Sequence, residues 1–287
     1  MTYIIHGATG AQGSPVLAAM LAAGNPAVAA VRTLDAVNDG VASVAVDLAD
    51  AGSLAEAYAG ADGVFVHLPM GPPEQSLQYV EAIATAVAKA KPARVVISTS
   101  GQIVDQPGSP LQANDDSPIA TLIRRVGDTG VSTAVVATRL YLENLLLPVV
   151  SGSATLDGVL RYPLPTAFAT SWISHSDVAE VVVRLLTDHS TTGIVAVGAH
   201  PGLTGPDLAA AFAGRLGRDV TYEAITPEAF GELISPLFGP EASGPVVDLY
   251  QALNTQERNT IAPDNSAQSL LGISPRSVED WLANVPF

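Results

Sequence analysis

Seven residues near the N-terminus, Gly7-Ala8-Thr9-Gly10-Ala11-Gln12-Gly13, constrain what this chain can fold into more than any other stretch. The short apolar run Tyr3-Ile4-Ile5 precedes them, and the helix-forming run Val16 to Ala23, closed by Gly24, follows. Strand, glycine turn, helix is the order in which a backbone can wrap closely around a pyrophosphate. The unpaired N–H groups and the dipole of the helix start then face the anion. The spacing is G-x-x-G-x-x-G rather than the commoner G-x-G-x-x-G. Its weight comes from its place on the first strand–helix junction of a long α/β pattern. Gly7, Thr9, Gly10, Ala11, Gln12 and Gly13 are therefore candidate dinucleotide ligands.

Composition narrows the class. The 287 residues allow one large or two unequal domains, and 48% hydrophobic content is too high for a disordered chain. No apolar run is long enough for a bilayer, and Met1-Thr2-Tyr3 leads straight into a strand. The expectation is a cytoplasmic protein with no membrane partner. The absence of cysteine excludes disulfides, thiolate catalysis and thiolate-held metal, and no metal site is expected. A formal net charge of −15 argues against a nucleic-acid partner.

The chain continues as alternating strands and helices. Ala27 to Val31 reads as the second strand, with Arg32 at its exit about 20 residues past the glycines. An acid at that position would favour NAD, whereas an arginine suits the 2′-phosphate of NADP. NADP(H) is thus expected ahead of NAD(H), with Asp35 keeping the second option open. The third strand, Ala42 to Val46, delivers Asp47 and Leu48 as adenine-side candidates, Asp47 otherwise merely opening the next loop. Ser53-x-x-Glu56 reads as a capping box for the helix that follows. Val64 to Pro69 is the fourth strand and its exit, contributing His67, Leu68 and Pro69. Glu74 to Lys89 reads as a helix, and Arg94 to Gly101 as the fifth strand, which ends in Ser98, Thr99 and Ser100 facing the nicotinamide end of a dinucleotide. The long loop from Gln102 to Asp116 is a candidate substrate lid. Ser117-Pro118 opens a helix, and Val131 to Ala137 closes the regular alternation. A parallel sheet covered on both faces follows from it.

Past Thr138 the pattern breaks. A short strand near Gly158 to Pro165, a helix led by Ser174-His175-Ser176-Asp177, and a strand at Gly193 to Val197 are expected. His175 and Asp177 read as helix-start residues rather than a relay. Thr204-x-Pro206, Thr226-Pro227 and Ser274-Pro275 each read as a cap followed by a helix start, so residues 199–287 are expected to be mostly helical. The expected division is a dinucleotide-binding domain over 1–150, completed by 171–198, and a smaller substrate-binding part over 151–170 and 199–287.

Gly7-Ala8-Thr9-Gly10-x-x-Gly13, Arg32, Val96-Ile97-Ser98-Thr99-Ser100, Arg139-x-x-x-Glu143-Asn144 and the Trp172 to Ala179 helix start together resemble the NmrA-like branch of the atypical short-chain dehydrogenases. Length and motif order resemble its quinone-oxidoreductase and triphenylmethane-reductase members. The resemblance implies a Rossmann-type doubly wound parallel sheet, a smaller, mostly helical C-terminal substrate domain, and a substrate cleft between the two.

One departure carries information. Short-chain dehydrogenases place Tyr-x-x-x-Lys on the helix after the fifth strand, where this chain has Pro118-Ile119-Ala120-Thr121-Leu122-Ile123-Arg124-Arg125. The general acid for a carbonyl oxygen is missing. The acceptor then needs no positioned acid, as a quinone does not, or Tyr141 or Ser100 supplies the proton, or the chain only senses the dinucleotide. The expectation is an NADPH-dependent reductase of a quinone or polycyclic aromatic, polyketide-like acceptor. Reaction of the product with O₂ would give net oxygenation. The alternative is a non-catalytic NADP-binding redox sensor. Gln102, Tyr141, Asn144, Leu145 and Trp172 are candidate walls for a small aromatic or quinone substrate, with core packing the competing role for Leu145 and Trp172. A monomer or homodimer is expected.

Overall fold

The strands form because β-branched and small apolar residues recur in runs of about five between glycine- and proline-bearing turns. The computed structural model describes residues 2–37 and 40–285. Its first six strands are β1 (Tyr3–His6), β2 (Ala27–Val31), β3 (Ser43–Ala45), β4 (Gly63–His67), β5 (Arg94–Ser98) and β6 (Ser132–Ala137). With the later strand Gly193–Ala196 they make one seven-stranded sheet in the order Gly193–Ala196, β6, β5, β4, β1, β2, β3. Every pairing is parallel. The strand order reverses at β1, which pairs with β2 on one side and β4 on the other. Open α/β sheets bind ligands at that reversal, beyond the carboxyl ends of the strands. This is a Rossmann-type doubly wound α/β fold, as the sequence predicts.

Helices cover the sheet. They are α1 (Gly13–Ala22), α2 (Ala51–Tyr58), α3 (Pro73–Ala90) and α4 (Pro118–Asp128), together with the helix His175–Thr187. Alternate strand residues Ile4, Val64, Val66, Val95 and Ile97 join Leu54, Tyr58, Ile83, Val87 and Leu122 of α2, α3 and α4 in one core cluster. The intervening residues Ile5, Phe65 and Val96 are equally buried, as the period of two along a strand requires for a sheet with two dry faces.

Two helix starts differ from expectation. Asp50, not Ser53, caps α2, its Oδ1 accepting from Gly52 N at 2.8 Å. The capping box is one turn too late because the better acceptor lies three residues earlier, and Ser53 Oγ instead accepts from Asp47 N at 3.4 Å. Near the C-terminus the helix is Val278–Ala283, capped by Ser277, whose Oγ accepts from Asp280 N. Ser274-Pro275 stays outside it. Ser117, Thr204 and Thr226 cap as expected.

The chain divides into two compact units. The first comprises residues 1–138, 175–197 and 263–273, and the second comprises 139–174, 198–262 and 274–287. The segment 139–150 thus clusters with the second unit, and a distant C-terminal segment returns to the first. In that return, Ala196 N donates to Asn265 O at 2.8 Å and Ala196 bridges Ser266.

The second unit is mostly helical, with Pro148–Asp157, Gly205–Leu216, Pro227–Phe238, Pro240–Asn254 and Val278–Ala283 around short parallel strand pairs. An aromatic cluster holds its interior. Tyr162 packs edge-on to Trp172 and Tyr250, with centroids at 5.4 and 5.5 Å, and Phe230 closes the group. The Tyr162 and Tyr250 hydroxyls bond each other, so neither polar tip is left unpaired.

Candidate functional site

At the carboxyl edge of the sheet, the turn after β1 folds back on itself. Gly10 N donates to Gly7 O at 2.8 Å, and Ser14 N donates to Gly10 O at 3.0 Å as α1 begins. The three glycines do different work. Gly7 has φ +60, and a Cβ there would lie 2.2 Å from His67 Nε2. A Cβ on Gly13 would lie 2.2 Å from Gly7 O and 2.4 Å from His6 O, so this glycine lets α1 start directly against the end of β1. At Gly10 the nearest atom would be 3.2 Å away, and its open side is the one a ligand would use.

A cavity of about 430 Å³ opens here, within the first unit. Of the candidates read from sequence, Gly7, Thr9, Gly10, Arg32, Leu48, His67 and Pro69 line it. Arg32 is exposed directly after β2 and can reach an anion without desolvation. Val46 and Leu48 supply apolar wall, while Asp47 turns away. Its Oδ1 accepts from Ala49 N at 2.9 Å, the loop-opening role weighed against adenine contact. Leu68 is buried behind the wall. Ala11, Gln12, Gly13, Ser98, Thr99 and Ser100 do not line this cavity. Ser98 and Thr99 are fully buried at the end of β5, and Ser100 is half-buried just beyond.

Seven further residues line the cavity: Ala30, Val31 and Val46, read from sequence only as strand residues, and His6, Met70, Gln75 and Tyr79. The last two had a signal, since Gln75 and Tyr79 stand one turn apart on α3 and so share a face. Met70 sits in the irregular link before α3, which has no periodicity to read.

Three histidines share this end of the first unit. His6 Nε2 and the Tyr58 hydroxyl are hydrogen-bonded at 2.8 Å. Burial, reinforced by His67, pushes the His6 pKa down to about 3. Burial and His67 likewise hold His175 at about 4. His67 is lowered by burial, against a hydrogen bond with the Leu68 backbone. Its buried Nε2 has no hydrogen-bond partner. All three imidazoles are neutral near pH 7, so Arg32 is the charged side chain among the cavity's lining residues.

A pH dependence of stability follows. A histidine whose folded pKa lies below its unfolded value of about 6.5 binds its proton more readily in the unfolded chain. Its stabilising effect is complete above pH 6.5 and is lost progressively as the pH falls toward 4 and 3. Between pH 6.5 and 5, His6 and His175 should each remove about 2 kcal/mol, read as a fall in the urea midpoint. His6→Asn should flatten that fall, and an unchanged slope would contradict the assignment.

The cavity fits a dinucleotide on three counts. Its glycine loop can approach a pyrophosphate, an arginine stands where the ribose selector belongs, and an unpartnered imidazole nitrogen faces the loop. Among the described residues no group of three or more His, Asp or Glu could hold a metal ion, and no helix is long and apolar enough to cross a membrane.

The remaining candidates fall elsewhere. Gln102 is exposed, its amide 3.5 Å from Thr99 O. In the second unit Tyr141 and Asn144 are half-buried. Leu145 and Trp172 are 0% and 2% exposed, which puts both in the core. On α4 the sequence Pro118 to Asp128 supplies neither tyrosine nor lysine.

Sheet order and site together define a dinucleotide-binding α/β protein. The chain belongs to the NmrA-like family, whose pattern it matches over residues 2–282. It is 29% identical over 279 residues to an NAD(P)H azoreductase of Xenophilus azovorans, covering 95% of this chain and 91% of that protein. Its fold is that of the Citrobacter sp. triphenylmethane reductase complexed with NADP(H), with TM-score 0.80, 16% identity, and 99% and 100% of the two chains covered. An NADPH-dependent quinone oxidoreductase of Escherichia coli complexed with NADPH shares it too, with TM-score 0.73, 16% identity and 99% of each chain covered.

Proposed function

We propose that this protein is an NADPH-dependent reductase of a flat, conjugated acceptor, a quinone first among them. The observation that carries the reading is the cavity at the strand reversal, where Gly7, Gly10 and Arg32 meet. The azoreductase and the quinone and triphenylmethane reductases among its relatives support it.

When bound, NADPH supplies the hydride. The residues of this chain bind and orient it. The glycine loop would take the pyrophosphate, Arg32 the 2′-phosphate, and Val46 and Leu48 the adenine face, with His67 packed beside the loop at Gly7. We assign the first unit to the dinucleotide and the acceptor-recognising residues mainly to the second.

A quinone suits a site without the Tyr/Lys pair, because the oxyanion left after reduction is delocalised and water can protonate it. An azo dye can take the same hydride at one nitrogen, the electron pair of the broken π bond passing to the other nitrogen, which must then gain a proton. With an aromatic polyketide quinone, O₂ adding to a ring carbon of the reduced product, with one oxygen atom kept and the other lost as water, would register as net oxygenation, whereas simple return of the electrons to O₂ would give back the quinone and H₂O₂. Stopped-flow NADPH oxidation against quinones and a monoazo dye, with and without oxygen, tests the reading. Tight NADPH binding with no oxidation by any acceptor would leave a redox sensor instead.

Tyr141 is proposed as a stacking wall. Tyr141→Phe keeps the ring and should cost less than tenfold in turnover, whereas Tyr141→Ala should cost far more. A loss above a hundredfold in Tyr141→Phe, with NADPH affinity unchanged, would make Tyr141 the missing acid and point to a ketone substrate.

A further inference from the structure

The side chain of Gln12 does something its position does not require. It immediately precedes α1, yet it makes no capping bond to that helix. It reaches across the end of β4 to β5, since the local strand order is β5, β4, β1. There Gln12 Oε1 accepts from Ser98 Oγ at 2.7 Å, and Gln12 Nε2 donates to Ser100 Oγ at 3.0 Å. Ser98 Oγ also accepts from Ser100 N at 3.2 Å. One amide thus brackets two hydroxyls on the strand exit next to His67, which pairs in register with Ser98.

Ser100 is held in an unusual backbone state. Its φ is +54, followed by Gly101 at +89, whose N donates to Thr138 Oγ1 at 3.0 Å. A non-glycine residue in the left-handed region is strained and persists only where its surroundings over-determine it. Such strain gathers at sites where a group must be aimed.

The polarity of the bracket decides which way Ser100 faces. A hydroxyl has one proton and two lone pairs. Gln12 Nε2 occupies a lone pair of Ser100 Oγ, which turns the hydroxyl proton away from the amide. Ser98, by contrast, gives its proton to Gln12. Ser100 is the one of the two that is partly open to solvent.

We propose that Gln12 is a positioning residue. Through its amide it fixes the Ser100 hydroxyl as an outward donor to the oxygen or nitrogen of the acceptor that gains charge during reduction. Donors set in place before charge develops need no reorganisation. The inference rests on the reductase reading given above.

A double-mutant cycle tests it, with a 1,4-naphthoquinone as acceptor at saturating NADPH. Ser100→Ala and Gln12→Met should each lower kcat about 10- to 100-fold. The two combined should lose no more than the larger single loss, because both remove the same donor. Gln12→Glu keeps the volume and still accepts from Ser98, but its second oxygen takes the Ser100 proton. It should match Ser100→Ala in kcat and guards against a folding failure in Gln12→Met. NADPH Kd, followed by fluorescence, should change less than threefold in Ser100→Ala.

Multiplicative losses in the double variant would overturn the proposal. So would a Gln12→Glu enzyme as fast as wild type, or a Ser100→Ala defect confined to NADPH affinity. Failure of the wild-type protein to reduce any acceptor would instead overturn the reductase reading, so the two failures are distinct.

Discussion

Gly13→Val is expected to yield a protein that no longer binds NADPH and unfolds at a markedly lower temperature. The added side chain meets main chain, not ligand, since Gly7 O and C and His6 O all lie within 2.4 Å of the new Cβ. None of these atoms can swing aside as a side chain could. Forcing atoms into a packed site costs about 1–3 kcal/mol even where rotamers can adjust, and this contact leaves only backbone movement. Gly10→Val differs in kind. Its closest contact is 3.2 Å, so the variant should fold, and it should fail to bind because the branched side chain fills the pyrophosphate approach. Gly127→Ala in α4 meets nothing within 4 Å and serves as the control. It should gain about 0.5–1 kcal/mol from helix propensity. Thermal melts with and without NADPH separate the three. A Gly13→Val protein that melts normally and titrates normally with NADPH would remove the glycine loop from the site.

Arg32→Ala should weaken NADPH by tenfold to over a hundredfold while leaving NADH within a few-fold. A hydrogen bond to a charged group contributes about 1.5–3 kcal/mol. Arg32 is the charged side chain on the cavity wall, so no neighbour there would replace it. Its exposure adds a second signature, for the NADPH preference should shrink as salt rises from 0.05 to 0.5 M. Equal loss for the two cofactors would assign the selection to another residue.

The sheet was legible because each strand announces itself twice, in a short apolar run and in the turn that ends it. Arg32 follows β2, and His67 and Ser98 end β4 and β5, as read from the sequence, but of the three Ser98 is buried and off the cavity wall. What sequence order cannot show is a contact made by crossing a neighbouring strand. Gln12 reads as one more member of the glycine turn, and its bond to Ser98 becomes visible only when β1 and β5 lie either side of β4. His6 escaped for a related reason. It stands between the apolar run Tyr3 to Ile5 and the glycine turn, and its partner Tyr58 arrives from a helix 52 residues on. For Trp172 the sequence leaves ligand wall and core packing both open, and the ring is buried edge-on to Tyr162. Ser53 and Asp50 are both valid caps locally, and in the fold Asp50 takes Gly52 N while Ser53 turns to Asp47 N.

The return of residues 263–273 to the first unit has a consequence for how the protein is made. Synthesis runs from the N-terminus, so the six strands β1 to β6 leave the ribosome early and can pair as they appear. The edge strand Gly193–Ala196 follows, but the segment that bonds Ala196 emerges only after much of the second unit has been translated. For that interval the nascent sheet carries an uncovered margin of free N–H and C=O groups, the feature through which chains join one another wrongly. Slowing translation between residues 197 and 263 should therefore lower the soluble yield more than an equal delay placed before residue 130.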